Sequence, residues 1–242
     1  MSTKSKYVRS NLEFFDSVTH ERVLPVAPLV WIDDFLGYQA ATSETGSTGP
    51  WLTVDVGGAT QGLKANEPNG AFELALAATS EAEDAVLYWG DQRGIDVGNK
   101  ASIEFRVDMA VLPTTGVAAV FGLANDHNLD KDTVAAHAWF RLQASGAIVV
   151  ETDDTTNDND DTSTGVTAVA GTYNTFRIDF HDLTDVRFYI DGVNVATGTT
   201  FDMSNLTAAE QVMQPYMSLD KASGTGVGTM VIDYVRVWSN RS

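Results

Sequence analysis

The 242-residue chain contains no cysteine, which excludes disulfide frameworks, Cys-ligated zinc and iron-sulfur centres, and thiol chemistry of any kind. It lacks long apolar runs: no stretch approaches eighteen consecutive apolar residues, so no bilayer-spanning helix is expected. The leading residues Met1 to Lys6 are followed by Tyr7-Val8-Arg9 and not by the apolar core of a signal peptide, from which cytosolic synthesis is expected. Positive charge is scarce, with 15 Lys and Arg against 33 Asp and Glu and a net charge of -18. Phosphate backbones and anionic lipid surfaces would be repelled, so neither nucleic acid nor a membrane is expected as a partner. What is present, 43% hydrophobic and 20% charged residues, is globular in composition, and the length suits one substantial domain.

Residues 1–30 form a segment apart. They carry Lys4, Lys6, Arg9 and Arg22 against Glu13, Asp16 and Glu21, so the segment is slightly basic in front of an acidic body. Neither helical nor alternating periodicity runs from Tyr7 to Val30, and Pro25 and Pro28 remove backbone donors. The segment reads as an extended N-terminal arm. Its apolar residues must find cover, either on its own domain or on a neighbouring subunit. The docking residues expected here are Tyr7, Arg9, Leu12, Phe14, Phe15, Val23 and Leu24.

Residues 31–242 read as one β-domain. Gly37 to Gly70 reads as loops with short strands such as Trp51–Val56. In Ile103–Met109 every second side chain is apolar, which buries one face of a strand and wets the other. Phe176–His181, Val186–Ile190 and Met230–Trp238 repeat that pattern, and Asp191-Gly192 between apolar runs marks a tight hairpin. The helix expected is short, Thr207–Met213. Many short strands with turn chemistry between them predict an all-β sandwich or jelly roll.

The chemistry-bearing patterns are incomplete. Glu151 to Asp161 holds six acidic residues and no Lys or Arg, and is expected as a solvated hairpin tip because it lacks the turn and closing carboxylate of a calcium loop. Asp126–Asp132 has Lys131 where such a loop needs glycine, and reads as an ordinary surface loop. Glycoside hydrolysis needs two carboxylates at a controlled separation. The Glu-x-Asp-x-x-Glu pattern of laminarinase-like sandwiches begins at Glu151 and Asp153 but ends in Thr156, and begins at Glu81 but ends in Val86. No Gly-x-Ser-x-Gly elbow occurs, and His20, His127, His137 and His181 lie in unrelated contexts. Trp31, Trp51, Trp89, Trp139 and Trp238 are expected mainly as core or interface anchors, with sugar stacking as the lesser alternative. No cofactor or metal is expected.

The hairpin Tyr173–Phe180 through Phe188–Val193, with the ending Ile232–Trp238, resembles laminin-G and concanavalin A-like domains over the last third of the chain. Tyr7–Asp16, Asp84–Gly94 and Lys221–Thr229 resemble a family of tailed-bacteriophage virion proteins over nearly the whole length. The first resemblance implies a concanavalin A-like jelly roll. The second implies a non-enzymatic virion structural protein, a capsid decoration or cement protein on the capsid surface, anchored by its arm to the major capsid protein or other virion subunits and forming a homo-oligomer. The alternative is a lectin-like, carbohydrate-binding module on the virion that takes a glycan and aids adsorption.

Overall fold

The computed structural model describes residues 3–8, 11–16, 29–36 and 50–240, with backbone alone for the first two stretches. In chain order the strands are β1 (Thr3–Val8), β2 (Asn11–Asp16), β3 (Leu29–Asp33), β4 (Leu52–Val56), β5 (Thr60–Leu63), β6 (Phe72–Ala75), β7 (Glu83–Tyr88), β8 (Ile95–Asp96) and β9 (Ser102–Val111). They continue as β10 (Val117–Ala124), β11 (Ala136–Leu142), β12 (Ala147–Asp154), β13 (Asp158–Thr167), β14 (Asn174–Asp179), β15 (Arg187–Ile190), β16 (Val193–Val195), β17 (Val212–Lys221) and β18 (Thr229–Ser239). Sheet one runs β13-β12-β11-β10-β17-β7-β4, with β8 added to β17. Sheet two runs β16-β15-β14-β9-β18-β6-β5, with β3 added to β18. Neighbouring strands in both are antiparallel.

The alternation legible in Ile103–Met109 is realised in β9. Ile103, Phe105, Val107 and Met109 enter the core, while Glu104 and Arg106 face outward. Sheet one contributes Ala119, Phe121 and Leu123 from β10 and Ala138, Phe140 and Leu142 from β11. Phe121 stacks on Phe140 at 5.6 Å and meets Phe176 of sheet two edge-on at 4.7 Å, so aromatic rings knit the two layers. Asp191 and Gly192 both have positive φ, 49° and 78°, as a two-residue turn matched to strand twist requires.

Two expectations are corrected. Thr207–Met213 is not helical: the Thr207 N–H donates to Glu210 Oε2, a turn follows, and Val212 and Met213 enter β17 to pair with β8. Tertiary pairing overrides a weak local propensity. The acidic run is also not uniformly solvated, since Glu151 and Asp154 are buried on β12. Asp154 accepts from the N–H groups of Thr156, Asn157 and Asn205, and so pins the β12–β13 turn to the 202–206 loop. Burial opposes its ionisation, but these donors outweigh burial and hold its pKa below the ordinary value.

Within the arm, β1 and β2 form an antiparallel hairpin that places Tyr7 opposite Leu12, Phe14 opposite Ser5 and Phe15 opposite Lys4. Among the described residues this hairpin is a two-stranded sheet separate from both sandwich layers. Arg9, Val23 and Leu24 lie outside the described residues.

Candidate functional site

The outer face of sheet one, away from the core, carries a second cluster of buried side chains: Val86, Tyr88, Val120, Ala124, Val134, Trp139 and Tyr216. Strand register builds it. Trp139 of β11 lies opposite Glu151 of β12 on one side and Gly122 of β10 on the other, and Gly122 lies opposite Tyr216 of β17. A Cβ on Gly122 would meet the Ala138 carbonyl oxygen at 2.2 Å and Trp139 Cβ at 2.6 Å. Only glycine lets the β11 backbone with its indole approach this closely. The His137 ring stacks on Trp139 at 3.7 Å with 15° between planes, and Trp139 sits 6.1 Å from Tyr216 at 30°. The result is an aromatic floor across three strands.

Carboxyl groups flank the floor on both sides. Glu151 accepts from Trp139 Nε1 at 2.7 Å and from an Arg141 guanidinium N–H at 3.1 Å. Burial still pushes its pKa up to about 7 against the pull of Arg141, and Asp161 nearby adds to the rise. On the other side Asp84 of β7 and Asp220 of β17 stand directly opposite one another. Asp84 is 1% exposed, and burial raises its pKa while Lys131 and His127 oppose that rise. Burial carries Asp220 to about 7, with Lys131 opposing and Asp84 reinforcing. Burial holds His137 neutral, with its pKa lowered to about 4.

The connection from β10 to β11, residues 125–135, crosses this face as a strap. Lys131 is 3% exposed and aims its ammonium at Asp84 Oδ1 (3.4 Å) and Asp220 Oδ1 (3.9 Å). His127 Nδ1 pairs with the Tyr216 hydroxyl at 2.8 Å, and Asp132 accepts from Arg141 at 2.8 Å. The ordinary surface loop expected from composition is therefore a cover.

The structure brings some sequence-level candidates together and separates others. Glu151 lies on the site face, and Asp153 of the same strand stands opposite His137. Thr156 falls in the β12–β13 turn. Glu83 is buried elsewhere, against Lys221 and Thr79, and Glu81 is exposed, so that pair makes no site. Trp139 is the tryptophan of the aromatic floor. Trp31, Trp51 and Trp89 cluster with one another, with centroids 5.0–6.2 Å apart, as core anchors. Asp84, His127, Lys131, Tyr216 and Asp220 were not singled out as site residues by the sequence. The one local signal was Lys131 interrupting an acidic, oxygen-rich loop.

No protein-family model matches the chain, and no curated protein does. Solved structures do. A structure reported with endo-acting O-glycanases of the human gut microbiota that initiate mucin breakdown aligns with a TM-score of 0.58 and 13% identity, covering 87% of this chain and 99% of that one. A Bacteroides ovatus GH16 protein for mixed linkage glucan, solved with a product, gives 0.52 and 12%, covering 86% and 99%. The carbohydrate esterase of the Shiga toxin-encoding bacteriophage phi24B gives 0.50 and 15%, covering 84% and 97%. The fold is a concanavalin A-like jelly roll. At these identities the likeness speaks to the fold.

It also corrects the expectation of a non-enzymatic protein. That expectation rested on an unfinished carboxylate motif read along one strand. The matched structures include enzymes acting on carbohydrate, built on the same jelly roll. On this scaffold carboxyls of different strands can meet, as Asp84 of β7 and Asp220 of β17 do on sheet one, so a missing third residue in a linear motif excludes nothing.

Proposed function

We propose that the chain is a glycan-directed jelly-roll protein that engages a saccharide on the outer face of sheet one. The observation that carries this is the Trp139, His137 and Tyr216 floor between Glu151 on one side and Asp84 with Asp220 on the other. Flat rings cover the apolar faces of pyranoses, and carboxyls accept from hydroxyls around the ring edge. Glu151, with a pKa of about 7, is also suited to exchange a proton with a bound glycan near neutrality. The fold shared with carbohydrate-acting proteins supports the reading.

The test is a glycan array followed by titration of the best binder. Glu151→Gln and Tyr216→Phe are expected to weaken that binding about ten-fold, roughly 1.4 kcal/mol, with the fold retained as judged by near-ultraviolet circular dichroism. No array signal, or affinity indifferent to both substitutions, would overturn the assignment.

A second reading concerns where this face is displayed. We propose that the β1–β2 hairpin attaches the jelly roll to a bacteriophage particle through the major capsid protein or another virion subunit. The hairpin's separation from both sandwich sheets, and a bacteriophage protein among those sharing the fold, favour it. The doubly substituted full chain Phe14→Ser, Phe15→Ser is expected to keep its melting transition and to lose co-sedimentation with purified particles. Co-sedimentation equal to that of the unmodified chain would refute attachment through this hairpin.

A further inference from the structure

The strap over sheet one is tied at its base and held to the face along its length mainly by polar contacts, His127 to Tyr216, Lys131 to Asp84 and Asp132 to Arg141. The Asn125 N–H donates to the Ala136 carbonyl at 2.9 Å, and the Ala136 N–H donates to Asn125 Oδ1 at 3.2 Å, so the two ends meet. Between them only Lys131 and Val134 are buried, and Leu129 is exposed. A segment with so few buried apolar contacts belongs to the low-stability end of local opening.

Beneath it the two carboxyls are underfilled. Asp84 accepts from Ser218 Oγ at 3.0 Å and from Lys131 through Oδ1, while its Oδ2, in a side chain 1% exposed, has no hydrogen bond and stands 3.7 Å from His127 Nε2 of the strap. Asp220 Oδ1 is buried and likewise has none. The Lys131 ammonium stands 3.4 and 3.9 Å from the two groups, where charge-assisted bonds close to about 2.7–2.9 Å. It also lies over the Tyr216 ring at 5.5 Å and donates to the strap's own Asn128 carbonyl at 2.8 Å. The ammonium is thus placed by its tether more than by the seat it occupies.

We infer that Lys131 fills the seat of a ligand ammonium, and that the ligand which displaces the strap is a glycan bearing free amino groups. The inference deepens the proposed function and rests on it. A neutral saccharide lifting the strap would leave Asp84 and Asp220 buried without their cation, which is strongly unfavourable. A sugar ammonium replaces the charge, offers three donors to the idle oxygens, and leaves its ring on the Tyr216 and Trp139 floor. The net charge of -18 draws such a polycation to the protein.

The experiment titrates the full chain with a glucosamine hexamer and, separately, with its fully N-acetylated counterpart. The amine form is expected to bind at least about ten-fold more tightly, and Lys131→Ala, which removes the internal competitor, to tighten it about ten-fold further. Lys131→Met keeps the packing of the stem and serves if the alanine variant does not fold, as judged by near-ultraviolet circular dichroism. Asp84→Asn is expected to abolish the preference for the amine form. Equal affinity for the two hexamers, no gain in either Lys131 variant, or amine binding retained in Asp84→Asn as mere charge attraction would each overturn the inference. If the array identifies a neutral glycan whose binding depends on Glu151 while the hexamers do not discriminate, the glycan reading stands and the amine specificity alone fails. If no glycan binds at all, both fail.

Discussion

Substitution of Lys221 by Met is expected to lower the unfolding free energy by about 3–5 kcal/mol, the range for breaking a buried ion pair from one side. Lys221 at the end of β17 is 1% exposed, and its ammonium donates to the carbonyls of Ala77 (2.6 Å), Thr79 (2.8 Å) and Gly226 (3.1 Å), with Glu83 Oε1 at 3.4 Å. One cation therefore satisfies three loop carbonyls and neutralises a buried carboxylate. It joins the exit of β6 to the β17–β18 connection, closing one end of the sandwich. Burial opposes ionisation of Glu83, but bonds from Thr79, the Ala77 N–H and Lys221 outweigh it and hold its pKa low. Methionine preserves the stem and abandons all four oxygens. Urea unfolding followed by tryptophan fluorescence reads the loss, and the double variant Lys221→Met, Glu83→Leu is expected to recover part of it by removing the stranded charge. A single variant within about 1 kcal/mol of the unmodified chain would show that these contacts are dispensable.

The sandwich was legible wherever one strand carries its own message. Alternation in Ile103–Met109 states which face is buried, and Asp191-Gly192 states a turn, because each signal is local and needs no partner. The site was illegible for the opposite reason. Asp84 and Asp220 become neighbours only through the β7–β17 register, and Lys131 reaches them only because the strap folds back across strands with which it shares no sequence proximity. Composition labels 126–132 as surface, since six of its seven positions are polar or charged. It is silent about the one side chain that turns inward. The acidic run misled in a related way: like charge in sequence predicts solvation, yet β12 alternates Glu151 onto the strap side while the turn folds Asp154 into a ring of N–H donors. The tryptophans were correctly expected as anchors where Trp31, Trp51 and Trp89 cluster. Trp139 differs because Gly122 on the adjacent strand makes room for it, a relation that only the β10–β11 pairing creates.

The same cross-strand burial sets a pH dependence of stability. Glu151 and Asp220 titrate near 7 in the folded chain, above their ordinary values of 4.5 and 3.8. A carboxyl whose folded pKa is raised stabilises the fold fully below its unfolded pKa, and that contribution is lost as pH rises through the folded value. His137 runs the other way. Its folded pKa is about 4 against an ordinary 6.5, so folding favours the neutral ring and loses stability as pH falls from 6.5. Over the weakly acid range the histidine offsets part of the carboxyl trend, whereas above its unfolded pKa the carboxyls act alone. Between about pH 6 and pH 8 the two carboxyls cost about 3 kcal/mol and His137 returns about 1, a net loss of about 2 kcal/mol. Self-repulsion from the net charge of -18 adds in the same sense and is reduced by salt. Urea midpoints measured across that range at fixed, high ionic strength are therefore expected to fall toward pH 8, and Glu151→Gln is expected to remove about 1.5 kcal/mol, most of the net fall. Midpoints that are level across the range, or a slope that Glu151→Gln leaves intact, would mean that these carboxyls are ionised in the folded state and that the strap does not keep them dry.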